Sequence, residues 1–377
     1  MRIPGLSMMG SSGVYIHIPF CVSKCAYCDF LSFDGVGVDM QEQYVQALLG
    51  EMRRHDFSGT IIDTVYIGGG TPTVLPSSLL CEILRQVQQL TLAPDAEITL
   101  EMNPCTDAAL SDYKAHGVNR LSIGLQAWQD DLLAKIRPSH TAKTFTQSIK
   151  TAREAGFDNI NVDLMFALPG QTHDDWRESI SRVMELGPEH ISAYSLTPAE
   201  DTPLWDWLQA GEIPLPDEAV DRDMYHEAIN MLTAAGYEHY EISNFAKPRF
   251  MSRHNIDCWK RKPYKGFGLG AHSFDGVSRW RNTRNIQWYI NGYCLRNDID
   301  VLTETDAMAE TMFLGLRMAK GVSKQVFYEA FGTTIEYIYG QEINNLVSKG
   351  LIADSDERIF LTAKGLDFAN QVFEAFL

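Results

Sequence analysis

Within residues 13–197, six short apolar runs alternate with stretches of helical period, and this alternation limits the chain to folds built from βα units. The runs are GVYIHI, IDTVYIGGG, EITLEMNP, NRLSIGLQ, NINVDLMFALPG and EHISAYSLT. Several are nearly continuous in apolar residues, the pattern of parallel strands covered on both faces. The stretches between them, 40–54, 77–90, 107–116, 141–155 and 174–186, are amphipathic; in the second, Leu80, Ile83, Leu84 and Val87 share one face. Six units are too few for a closed eight-stranded barrel, so a partial barrel and an open doubly wound sheet both fit.

The runs end in polar or glycine residues: GGGTPT, EMNP, GLQ, DLMFALPG and SLTP. Ligands of parallel α/β folds bind outside the carboxyl ends of the strands, so these fragments are expected to converge on one site. The loop after the first strand should join them. It reads YIHIPFCVSKCAYCDF and holds Cys21, Cys25 and Cys28 in the spacing C-x3-C-x2-C, with Phe30 where a fourth cysteine would stand. Seven cysteines, an odd number with one tight triplet, point to a metal or redox site and away from a disulfide framework. Three thiolates suit an iron–sulfur cluster with one iron lacking a protein ligand. A zinc ion would need a fourth ligand, for which His17 is the nearby candidate, and reactive or inert thiols are the third reading.

Composition excludes several classes. The net charge of −17 removes the positive field that a general nucleic-acid binder needs. The longest apolar runs are of strand length, short of the roughly 20 residues of a membrane span. The first residues, MRIPGLSMMGSSG, show no apolar signal core, and a cytoplasmic protein is expected. A basic run from Lys247 to Lys265 reads either as a solvated loop or as a patch for an anionic ligand. GFGLGAHSF has the wrong glycine spacing for a dinucleotide fingerprint. The last ~75 residues change to helices and one hairpin, beginning at a Thr303/Asp306 cap and with Gly321 as the expected end of the first helix. This reads as a winged-helix-like module for packing or docking.

The cysteine spacing followed by GGGTP resembles the radical S-adenosylmethionine superfamily. Within it, YIHIPFCxxxCxxCDF, YIGGGTPT, LSIGLQ, DLMFALPGQT, YEISNFA and GLGAHSF are similar to the oxygen-independent coproporphyrinogen oxidase family, over essentially the whole chain. The resemblance implies a partial (β/α)6 barrel at 1–245, a connecting segment at 246–302 and a smaller helical, winged-helix-like domain at 303–377. It implies a 4Fe-4S cluster on Cys21, Cys25 and Cys28, with S-adenosylmethionine chelating the open iron, and an electron donor such as flavodoxin or ferredoxin. For S-adenosylmethionine it implies Tyr15 and Tyr27 around the adenine and Gly69, Gly70 and Thr71 at the methionyl amino group. Glu101, Gln126 and Asp163 would meet the ribose and amino-acid portion, and Arg137 the carboxylate, although Pro138 occupies the strictly aligned place. From the residues alone, Glu101 also reads as a helix cap and Asp163 as a solvated carboxylate.

Two departures from the oxidases, Phe30 and the 14 residues ahead of Tyr15, match a sister group of heme chaperones. HNIDCW, His254 to Trp259, resembles a motif of that group, with Cys258 where tyrosine is usual. His254 is thereby the candidate heme ligand, with Trp259 against the macrocycle and Arg253, Lys260, Arg261 and Lys262 available for propionates. The implied function is heme binding and delivery to apo-hemoproteins such as membrane-bound respiratory subunits. No catalytic residue is assigned. A homodimer and a peripheral position at the inner membrane face are part of the same expectation. The alternative is coproporphyrinogen III dehydrogenase activity.

Overall fold

The computed structural model describes residues 11–104, 109–136, 140–293 and 296–377. The chain starts with β1 (Ser11–Ile18), then a short parallel pair, β2 (Phe20–Cys21) and β3 (Phe33–Asp34), that brackets the cysteine loop. There follow α1 (Val38–Arg54), β4 (Ile61–Gly69), α2 (Ser77–Val87), β5 (Leu92–Met102), α3 (Leu110–Ala115) and β6 (Arg120–Gln126). Next come α4 (Asp130–Ile136), α5 (Ala142–Glu154), β7 (Ile160–Phe166), α6 (His173–Leu186) and β8 (His190–Ser195). Strands β1, β4, β5, β6, β7 and β8 are hydrogen-bonded in that order and all run parallel, the arrangement of a partial barrel.

The two faces of these strands differ in chemistry. Val65, Ile67, Ile98, Leu100, Leu121, Ile123, Val162 and Ile191 bury themselves in one large core with the helices. Alternate positions are polar: Thr64, Thr99, Arg120, Ser122, Asn161, His190 and Ser192, all buried. A period of two therefore runs beneath the near-continuous apolar appearance of the strands. The helices begin and end as their sequences dictate. Thr172 and Asp175 form a capping box at the start of α6, and Gly187 closes it in the left-handed conformation.

The segment 246–302 is more than a connector. After α7 (Pro203–Gln209) and α8 (Glu218–Ala234), the hairpin β9 (Glu238–Glu241) and β10 (Asn244–Ala246) extends the sheet beyond β8. A short helix, α9 (Arg253–Trp259), then leads to β11 (Tyr264–Phe267), which pairs parallel to β1 at the opposite edge. The antiparallel strands β12 (His272–Phe274) and β13 (Ser278–Arg281) follow, then α10 (Ile286–Ile290) and the edge strand β14 (Asn297–Val301), completing a 12-stranded sheet. Glu51 of α1 anchors this extension, accepting hydrogen bonds from Gly268 N (3.0 Å), Asn282 Nδ2 (2.8 Å) and Tyr289 OH (2.7 Å).

The remaining residues form a separate core around Phe327, Ile335, Ile343 and Ile359. Its elements are α11 (Glu304–Gly315), β15 (Val322–Ser323), α12 (Lys324–Phe331), α13 (Ile335–Ser348), β16 (Ile352–Asp354), β17 (Arg358–Leu361), α14 (Ala363–Asp367) and α15 (Ala369–Glu374). The Thr303/Asp306 capping box is present. However, α11 stops at Gly315, ahead of Gly321, because the chain there bonds to the barrel: Ala319 N donates to Tyr240 O (2.9 Å) and Ile242 N to Arg317 O (3.1 Å). The two last helices, α14 and α15, meet at Phe368.

Candidate functional site

Cys21, Cys25 and Cys28 are half-buried on the loop leaving β1. The middle of that loop is fixed from below: Ala26 N donates to Ile136 O (3.0 Å), and Ala26 O accepts from Leu204 N (2.9 Å). Tyr27 packs against a small apolar cluster that includes Leu133, Ile136 and Leu204. With Ala26 and Tyr27 held to the protein, the three cysteines line one side of a cleft. Its other walls include Tyr27, Gly69, Gly70, Thr71, Glu101, Gln126 and Asp163, so the ends of β4, β5 and β6 meet the middle of β7 there.

The turn after β4 is held close to the cysteine loop. Gly70 N donates to Ile18 O (2.8 Å) and Thr71 N to Phe20 O (2.7 Å). A Cβ on Gly70 would lie 2.6 Å from Phe20 O, so only glycine permits this approach. Thr71 Oγ1 lies 3.9 Å from Cys21 Sγ and accepts from Asn103 Nδ2 (3.1 Å). Arg137 lies outside the described residues, as do Cys105 and Cys294. Tyr15 lines a neighbouring cavity instead of this cleft.

The donor set suits a multiply charged metal centre. Burial, with the nearby Cys28 adding to it, pushes the Cys25 thiol up to about 11; burial, then the neighbouring Cys21 and Asp29, raises Cys28. Three such thiolates repel one another unless a cationic group neutralises them. Cys21, Cys25 and Cys28, backed by the close Gly70 turn, thus fit an iron–sulfur cluster. His17 is not free to complete a zinc site. Its Nε2 donates to Leu31 O (2.8 Å), so Nδ1 accepts from Tyr15 OH (2.9 Å), and both ring nitrogens are engaged.

Glu101 is neither a helix cap nor a surface group. It accepts from Tyr66 OH (2.6 Å) and Gly69 N (3.0 Å), and burial raises its carboxyl to about 7. Burial also raises Asp163, against hydrogen bonds from Asn161 Nδ2 (2.8 Å) and Ser122 Oγ (3.3 Å). Arg120 is buried within the same polar face, and among the described residues its Nε has no hydrogen-bond partner. Its positive charge opposes the rise of both carboxyls and adds to the depression of His190 and His254.

The neighbouring cavity is built on α9. The Glu97 carboxylate accepts from the first backbone amides of that helix, Arg253 N (3.0 Å) and His254 N (3.1 Å), which fixes the helix N-terminus against β5. The His254 ring stacks on Tyr66 at 5.2 Å, and its Nδ1 shares a hydrogen bond with Thr64 Oγ1 (2.9 Å). Burial, then the charge of Arg120, lowers its pKa to about 4, so the imidazole is neutral at pH 7. With Nδ1–H as donor to Thr64, the Nε2 lone pair is left for a ligand. Cys258, four residues later on the same helical face, lines the cavity beside His254.

Trp259 is not brought to this cavity. One further residue turns it about 100° around the helix, and it packs under the Arg317 guanidinium of the C-terminal domain at 4.4 Å. Most of the flanking basic residues are also committed elsewhere. Arg253 pairs with Asp95 (3.1 Å), Arg261 with Glu310 (2.7 Å) and Lys262 with Asp257 (2.9 Å); Lys260 is exposed and does not line the cavity. The arginines on the cavity wall are Arg281 and Arg284, which no sequence signal singled out. Cavity and cleft share Phe30, Gly69 and Glu101, and Phe30, 61% exposed, stands between them. Sequence reasoning also missed Thr64, Tyr66 and Asn103. The polar alternation in DTVY could have exposed the first two, and the EMNP fragment the third.

Opposite pH dependences follow for Glu101 and His254. A histidine held near 4 when folded gives up stability as pH falls from about 6.5 to about 4. A carboxyl raised to about 7 contributes stability below about 4.5 that is lost as pH rises through 7. Glu101→Gln is therefore expected to gain stability relative to the wild type on going from pH 4.5 to pH 8, by up to about 3 kcal/mol. Thermal denaturation of both proteins at the two pH values checks this. An unchanged difference would show that Glu101 ionises as it does in the unfolded chain.

Comparison with known proteins agrees over the whole length. The radical SAM superfamily matches residues 15–183, and the HemN C-terminal domain matches residues 302–368. Heme chaperone HemW of Bacillus subtilis is 38% identical, covering 96% of this chain and 98% of its own. Heme chaperone HemW of Escherichia coli is 33% identical, covering 100% and 99%. The structure of coproporphyrinogen III oxidase (HemN) from Escherichia coli, a radical SAM enzyme, superposes with a TM-score of 0.85 at 22% identity, covering 98% of this chain and 90% of that one. That likeness establishes the fold.

Proposed function

The chain belongs to the radical SAM superfamily and, within it, to the family of the heme chaperone HemW proteins, and on that premise we propose that it binds heme and delivers it to apo-hemoproteins. The observation that carries the proposal is the pairing of two adjoining pockets. One is lined by three cysteines, the other by a neutral, buried-edge imidazole, and Phe30 stands at their boundary.

In this reading Cys21, Cys25 and Cys28 hold a 4Fe-4S cluster, and the cleft walls hold S-adenosylmethionine at the open iron. When bound, the cluster supplies a low-potential electron. Gly69, Gly70 and Thr71 present backbone to the methionyl amino group, and Gln126 and Asp163 serve the ribose. Tyr27, on the cleft wall, would pack at the adenine while also holding the cysteine loop against the apolar cluster beneath it. Tyr15, removed from the cleft by its bond to His17, belongs with the heme cavity. There His254 would ligate the heme iron through Nε2, with its Nδ1 hydrogen-bonded to Thr64 Oγ1. Acceptors embedded in a membrane would be met at its cytoplasmic face; among the described residues no helix is long and apolar enough to cross one.

Anaerobic heme titration of the wild type and of His254→Ala tests the ligand. The expected result is a loss of the wild-type absorption spectrum and at least about a tenfold weaker affinity in the variant. Identical spectra and affinities remove His254 from the site. Incubation with coproporphyrinogen III, S-adenosylmethionine and a reductant tests the function itself. Protoporphyrinogen formed at catalytic turnover would make this an oxidase and overturn the chaperone reading.

A further inference from the structure

The GLGAHSF stretch and the residues after β13 form one wall of the heme cavity. Gly270 N donates to Thr283 O (2.9 Å) and Asn282 N to Ala271 O (3.0 Å), while His272 stands opposite Arg281 in the β12–β13 register. Gly270 has a positive φ of 66°, and a Cβ there would fall 2.6 Å from Leu31 Cδ2. Its bareness lets Leu31, next to Phe30, pack against the wall. Arg284 Cγ lies beside the same point, at 3.8 Å.

This wall concentrates positive charge in a chain of net charge −17. Arg281 and Arg284 both line the cavity, and Arg284 is exposed. Among the described residues Arg284 makes no ion pair and no hydrogen bond. Among the described residues the Arg281 guanidinium pairs only with Asp298, whose side chain is 61% exposed and yields readily to a better anion. The positive field is strong enough that Arg281, Arg279 and Arg284 all add to the burial that lowers His272. Asp29 and Glu101 also line the cavity, so its lining is polarised and not uniformly cationic. Tyr15, Leu31, Phe30 and Tyr264 supply flat apolar surface between these groups.

A ligand matched to such a cavity has a broad apolar body, an atom for an imidazole to coordinate and carboxylates at its edge. We propose that Arg281 and Arg284 form a carboxylate-recognition site, which holds a tetrapyrrole by its propionates while His254 meets its centre. The proposal rests on the heme-binding reading above and adds its anionic subsite. Two guanidinium forks in one wall suit paired carboxylates better than the lysine-rich run at 260–265, most of whose charges are already neutralised.

The test uses iron-free protoporphyrin IX, which His254 cannot coordinate, and its dimethyl ester, which has no carboxylate. Fluorescence titration of the wild type is expected to favour the free acid by about tenfold at low salt, a preference that shrinks as salt is added. Arg281→Gln/Arg284→Gln should bind both forms equally, with an unchanged melting temperature to show that it folds. Arg284→Lys should keep part of the preference, and Asp298→Asn, which frees Arg281, should strengthen it. His254→Ala should leave the preference intact while losing heme ligation, which separates this subsite from the ligand assignment. A folded double variant that still prefers the free acid overturns the proposal. A wild type that binds neither porphyrin nor heme overturns both this proposal and the heme-binding reading.

Discussion

Cys25→Ala, prepared anaerobically, is expected to lose its iron and sulfide, from about four of each per wild-type chain to a trace. The effect is large because a cluster held by three protein ligands has no spare: two thiolates leave two irons open. The fold should survive. The loop's structural contacts run through Ala26 and Tyr27 to Ile136 and Leu204, and Cys25 is only half-buried. The apo-variant should therefore melt within about 1 kcal/mol of the apo wild type. Removing Cys25 should also abolish binding of S-adenosylmethionine through the open iron, read by equilibrium binding. Retention of four irons would mean that another residue completes the set, and the three-cysteine assignment would fall.

Glu51→Ala is the substitution expected to cost most stability, about 3–5 kcal/mol by chemical denaturation. Glu51 is 6% exposed and accepts hydrogen bonds from Gly268 N, Asn282 Nδ2 and Tyr289 OH, with Lys265 Nζ at 3.7 Å. Alanine leaves Gly268 N and Tyr289 OH buried without an acceptor, Asn282 Nδ2 with Gly268 O alone, and a lysine without its counter-charge. The same donors position the wall that carries Arg281 and Arg284, so porphyrin affinity should fall together with stability. Glu51→Gln, which keeps an acceptor oxygen, should cost clearly less. A loss below 1 kcal/mol in the alanine variant would show that the hub is wet and carries little energy.

Much of this architecture is local in origin and so legible in the chain. The six parallel strands follow from short, nearly continuous apolar runs and the helices between them from a period of 3.6, and caps such as Thr172/Asp175 and Thr303/Asp306 are set within four residues. The end of α11 was not legible. Gly321 is a sound stop signal, but hydrogen bonds to Tyr240 and Ile242, ~80 residues away in sequence, stop the helix first. The strands' second face was masked for a related reason. Tyr66, Thr99 and Ser122 look ordinary within β-rich runs until the sheet curls and collects them on one side.

The cavity beside α9 shows the same division more sharply. HNIDCW marks a helix whose residues 254 and 258 share a face, but a motif carries no information about which face is turned inward. Contacts made across long sequence separations decide that: Glu97 with the α9 amides, Thr64 with the His254 ring, Arg317 with Trp259. They turn His254 and Cys258 toward the cavity and Trp259 away from it.

By itself, then, the sequence determined the βα order, the cysteine triplet with its open fourth place and the strand-end fragments that surround it. Each depends on spacing over a few residues, where backbone geometry leaves little choice. Only the tertiary structure decided that residues 246–302 extend the sheet, that Phe30 separates two pockets, and that Arg281 and Arg284 replace the nearer basic run as the cavity's cations. Those outcomes depend on which distant surfaces pack together, and packing is set by burial and hydrogen bonding summed over the whole molecule.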